Sequence, residues 1–110
     1  MKPSKLSRKH AHCSEESLVT VTLKCQLELP GITSLKEKRR VLKSLMARLK
    51  NNFNISVAEV DDNEVLRRAT LAAAVVANNN NFAHQVIAKV VDRIKADPGL
   101  ILADYGTESY

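Results

Sequence analysis

From Val19 to Leu29 the residues alternate without a break, with Val19, Val21, Leu23, Cys25, Leu27 and Leu29 on one side and Thr20, Thr22, Lys24, Gln26 and Glu28 on the other. Side chains of a strand leave it on opposite faces with period two, so this segment reads as a strand with one dry and one wet face. Such one-sided sheets are antiparallel, and whatever covers the dry face must lie on a single side. The remaining sequence has to supply two things, further strands and a one-sided cover.

It supplies both. Pro30-Gly31 makes a turn, and Ser34-Leu35-Lys36-Glu37 has the capping-box pattern, in which a serine hydroxyl and a glutamate satisfy free helical N–H groups, so Ser34 and Glu37 mark a helix starting at Leu35. Leu35, Leu42, Leu45, Met46 and Leu49 fall within about 100° of arc at helical spacing, the width of a core-facing stripe. Asn51-Asn52 ends this helix. Ile55 to Val60 reads as a short strand, Asp61 to Glu64 as an acidic turn, and Ala69 to Ala77 as another strand. Behind the asparagine run, Val86, Ile87, Val90 and Ile94 recur at helical spacing, placing a second helix over about Phe82 to Ala96. Asp97-Pro98-Gly99 stops it, and Leu100 to Tyr105 gives a last strand. The order β-α-β-β-α-β predicts an α+β ferredoxin-like plait, a four-stranded antiparallel sheet with two helices on one face.

The chain has 110 residues, 45% of them hydrophobic and 26% charged, enough for one domain with its own core. That domain is expected over residues 18–110. Residues 1–17 differ in texture: Lys2, Lys5, Arg8 and Lys9 stand among few apolar residues, and the stretch reads as a disordered basic tail. No apolar run approaches the ~18 residues of a membrane span, and two cysteines are too few for a secreted disulfide scaffold. A cytoplasmic protein without a membrane partner is expected.

Charge carries the functional signal. Lys36 to Lys50 holds seven basic side chains and one acid, a net +6 on one helix against +5 for the whole chain. Lys36, Arg39, Arg40, Lys43 and Lys50 share one flank, and Lys36, Lys38, Arg39 and Arg40 crowd the first two turns, where the helix dipole favours acids instead. Cations placed there suit an external anion such as a phosphate. Lys36, Lys38, Arg39, Arg40, Lys43 and Lys50 are therefore the candidate nucleic-acid or anion-binding residues. The strands offer no row of aromatics for base stacking, so contact is expected to be with the backbone of a structured RNA.

Other chemistry finds little support. His10-Ala11-His12-Cys13 has ligand-type residues but no evident fourth partner, and turn chemistry explains Asp61-Asp62-Asn63 without an ion. No phosphate loop, dinucleotide fingerprint or nucleophile with a recognisable base is present, so no catalytic residue, metal or cofactor is expected. A competing reading starts from the third strand. If Leu71, Ala73 and Val75 face inward, then Thr70, Ala72, Ala74 and Val76 form a strip on the open face that could mate with a second copy, giving a homo-oligomeric interaction module.

Three blocks also carry a resemblance. They are Pro30-Gly31 with Ser34 to Leu45, Phe53 to Asp62, and Arg68-Ala69-Thr70-Leu71. Together they resemble the YlxP-like family of small bacterial proteins of unknown function, over about Val19 to Tyr105. The resemblance implies a ferredoxin-like fold. It also implies a translational setting, since members are often encoded beside translation-initiation and ribosome-maturation factors, which directs the polyanion reading towards ribosomal RNA or a ribosomal subunit. Where relatives commonly carry Trp-Gln before Arg-Ala-Thr, this chain has Leu66-Arg67, which removes a stacking residue and adds a positive charge.

Overall fold

The structure is a computed structural model and describes residues 18–110. The basic segment 1–17, with His10, His12 and Cys13, lies outside the described residues. The elements are β1 (Val19–Glu28), α1 (Leu35–Asn52), β2 (Ser56–Asp61), β3 (Arg68–Ala77), α2 (Asn80–Lys95) and β4 (Ile101–Ser109). The strands order as β2-β3-β1-β4 with every neighbouring pair antiparallel, which makes the domain a ferredoxin-like α+β plait.

The alternation of β1 sets the sheet's two faces. Val21, Leu23, Cys25 and Leu27 lie opposite Val75, Ala73, Leu71 and Ala69 of β3, and all eight are buried. Leu42, Leu45 and Leu49 of α1, with Ala83, Ile87, Val90, Val91 and Ile94 of α2, close the same core. Each fully buried leucine contributes about 1.5–3 kcal/mol relative to exposure. Burial also pushes the Cys25 thiol up to about 11, against a smaller opposing effect of a backbone hydrogen bond at Leu71. At neutral pH Cys25 is a protonated core residue.

Two boundaries differ from the sequence reading by two residues or more. Helix α2 starts two residues early because Asn79, not a later asparagine, caps it, its side chain accepting from Phe82 N at 2.9 Å. Strand β4 runs on to Ser109 instead of stopping at Tyr105. Gly106-Thr107-Glu108-Ser109 has no apolar alternation because β4 is an edge strand and these residues are exposed; pairing with β1 alone orders them.

Candidate functional site

Helix α1 is built to keep its own first turn satisfied. Ser34 Oγ accepts from Glu37 N at 3.1 Å, while the Glu37 carboxylate folds back to accept from Thr33 N at 2.9 Å, one residue before the N-terminal cap. The positive end of the dipole already faces a carboxylate of the same chain. The cap expected from Ser34 and Glu37 is formed, with Glu37 reaching back to Thr33 N, and any attraction for an anion comes from the side chains along the helix.

Those side chains divide into two groups. Lys38 is 1% exposed, and its ammonium group donates to Asp62 O at 2.6 Å and Val65 O at 2.7 Å while lying 3.2 Å from Glu59 Oε2. An ammonium has three protons, and three acceptor oxygens surround this one. The contact with Glu59 Oε2 is Coulombic, since that buried oxygen makes no aligned hydrogen bond. Lys38 is thus removed from the anion-binding set. It faces inward because, with Lys36 at 0° and 100° per residue, it falls at about 200°, between Leu45 at about 180° and Leu42 at about 240°.

The other five cations remain outside. Lys36, Arg39, Arg40, Lys43 and Lys50 are all exposed. Among the described residues the group has one marginal ion pair, Arg40 Nη2 to Glu37 Oε2 at 4.0 Å, with Arg40 78% exposed. Arg48, by contrast, reaches Asp97 Oδ2 at 2.9 Å beyond the end of α2. Nine residues separate Arg39 from Arg48 along the chain, so at 100° each they lie about 180° apart. Since Arg48 turns to the α2 side, the five cations line the flank turned away from α2, on the side where α1 packs over the edge strand β2. From Lys36 to Lys50 this row is about 21 Å long.

In the acidic turn between β2 and β3, Asp62 is engaged in holding the turn itself. Asp62 sits at φ 62°, in the left-handed region, and its carboxylate accepts from Thr70 Oγ1 at 2.8 Å and lies 3.3 Å from Arg68 Nε. The Thr70 hydrogen bond first, then Arg68, hold the Asp62 carboxyl below the usual range. Arg67 Nε donates to Ile32 O at 3.1 Å and ties the same turn to the loop before α1. Groups of three or more His, Cys, Asp or Glu placed to hold a metal are absent among the described residues.

Of the open-face candidates, Thr70 is corrected: it is 2% exposed and committed to Asp62, so it offers nothing to a second copy. Ala72 and Ala74 are partly exposed and Val76 is 65% exposed. The sequence reading placed Glu59 among the acids near the β2–β3 turn, which could pair with the basic helix, but did not assign it as the partner of Lys38. The signal was available, because Glu59 shares the inward period of β2 with Val57, opposite Leu71 and Ala73.

The fold and site together define a class, a small ferredoxin-like domain whose first helix carries an exposed cationic flank with a single marginal ion pair among the described residues. The family model described as "Protein of unknown function (DUF503)" matches residues 20–107, and the chain belongs to that family. It is 30% identical over 74 residues to the "Uncharacterized protein YlxP" of Bacillus subtilis (strain 168), an alignment covering 67% of this chain and 80% of that protein. No helix among the described residues is long and apolar enough to cross a membrane.

Proposed function

We propose that the chain is a non-enzymatic, cytoplasmic RNA- or ribosome-associated factor, acting in ribosome maturation, that docks the outer flank of α1 on the phosphate backbone of structured ribosomal RNA. The observation carrying this reading is the sorting of cations on one helix. Lys38 and Arg48 have carboxylate partners, whereas Lys36, Arg39, Lys43 and Lys50 have none among the described residues. Arg40 adds a fifth charge at the row's outer rim, with only the marginal pairing to Glu37. Unneutralised like charges in a row repel one another, and a polyanion relieves that repulsion by counterion release. The test reverses four charges together, Lys36→Glu, Arg39→Glu, Lys43→Glu and Lys50→Glu. The folded variant is expected to lose co-sedimentation with ribosomal subunits, and unchanged co-sedimentation would refute the reading.

Val76 favours a second reading, a homo-oligomeric module joined through the open sheet face around Ala72, Ala74 and Val76. Light scattering distinguishes the two: a salt-insensitive dimer that Val76→Lys dissociates supports this module, and a monomer at every salt concentration removes it.

A further inference from the structure

A groove of about 250 Å³ lies between α2 and β4, with Ile87, Ala88 and Val91 as its apolar floor and His84, Lys95 and Tyr105 at its rim. It exists because α2 packs chiefly over β1 and β3 and only lightly against the edge strand β4. Beside it runs the outer edge of β4, which pairs with no further strand among the described residues. Thr20 and Tyr110 exchange both backbone hydrogen bonds, at 3.0 and 2.7 Å. In an antiparallel ladder such pairs recur at every second residue, so with Thr22, Lys24 and Gln26 opposite Glu108, Gly106 and Asp104 these residues spend their backbone groups on β1. Tyr105 and Thr107 then direct N–H and C=O away from the sheet, and no strand pairs with that edge among the described residues. Among the described residues only the Tyr105 N–H is otherwise engaged there, donating to the Asp104 carboxylate at 2.9 Å.

The two faces flanking this edge differ in chemistry. On the helix side, Tyr105 and Thr107 look onto the apolar groove. On the open side, Asp104 and Glu108 lie two strand positions either side of Gly106, whose missing side chain leaves a shallow depression between them. We infer that β4 accepts a fifth strand from a protein partner whose residues alternate between apolar and basic. The apolar residues fill the groove over Ile87 and Val91, and the lysines or arginines face Asp104 and Glu108. This is β-strand addition, in which main-chain hydrogen bonds supply affinity and alternate side chains supply specificity. A second copy of this strand in the register centred on Gly106 is a poor occupant. Two-fold pairing centred on Gly106 would set Asp104 against Glu108 of the other chain, like charges facing each other.

The inference is independent of the RNA reading, since a basic peptide is repelled by the α1 flank. The probe is a fluorescent eight-residue peptide alternating valine and lysine, titrated into the full chain by anisotropy, with amide shifts mapped by NMR. Saturable binding is expected, with the largest shifts at Tyr105, Thr107 and Ser109. The Asp104→Lys, Glu108→Lys double variant is expected to weaken it by about tenfold or more, because like charges then face the peptide. Thr107→Pro, which deletes one outward N–H, is expected to weaken it without disturbing the pairing to β1. A valine-glutamate peptide that shifts the same amides equally, or shifts confined to other elements, would overturn the inference.

Discussion

Lys38 and Arg39 are neighbours in sequence, yet one is sealed in the interior with three acceptor oxygens and the other stands in solvent without an ion-pair partner among the described residues. The difference is 100° of helical rotation. On the inner side of α1 a positive charge does structural work, holding the β2–β3 turn against the helix so that Asp62 keeps its left-handed backbone. On the outer side the same charge does nothing for the fold, which is what makes it informative about a partner. The rule that basic runs are solvated surface holds for some of these residues and fails at one, and the wheel angle decides which.

The comparison is broken most sharply by Lys38→Met. Removing one member of a buried pair leaves Glu59 uncompensated and strips donors from Asp62 O and Val65 O, so the variant is expected to lose about 3–5 kcal/mol in urea unfolding. A loss within the range of a surface substitution would mean that the interior contact holds nothing together.

A second prediction concerns the core beneath α1. The Cys25 thiol is raised from 9.0 to about 11 in the folded state, so above pH 9 the unfolded chain releases a proton that the folded chain keeps. Stability should therefore fall with rising pH across that window, by about 1.4 kcal/mol per unit. Cys25→Val should abolish this alkaline slope in denaturation curves.

A smaller effect is expected at Thr70. Its hydroxyl and Arg68 hold the Asp62 carboxyl below 3.8, so the associated stability is present above pH 3.8 and disappears as pH falls through the lower folded-state value. Thr70→Val should move the Asp62 titration, followed by NMR, back towards 3.8 and flatten the acid limb of the stability curve. Smallest of all, Lys36→Gln or Lys43→Gln should change unfolding free energy by no more than about 0.5 kcal/mol, since neither side chain has a partner to lose.

How much of this was legible in the sequence follows from the same contrast. The alternation of β1, the leucine stripe of α1 and the serine cap at Ser34 are local signals, and they suffice for the element order and the plait. The exposed flank was also readable, because helical periodicity alone gathers Lys36, Arg39, Arg40, Lys43 and Lys50. Lys38 was misplaced because residue type was given more weight than its angle among the leucines, and its partners come from a turn more than twenty residues away. Thr70 was taken for an open-face residue because a period-two pattern assigns a face but does not reveal that a turn folds over it. The second half of β4 left no trace, since an exposed edge strand needs no apolar pattern.

The most direct test of the cationic flank compares two arginines of one helix by the salt dependence of binding to purified ribosomal RNA. Five phosphate contacts predict a log–log slope of about −3.5 to −4.5 for the unaltered chain. Arg39→Gln should reduce that slope by about one contact's worth, 0.7 to 0.9, while Arg48→Gln, on the opposite side and already paired with Asp97, should leave it unchanged. Equal slopes for the two variants, or binding indifferent to salt, would contradict the account.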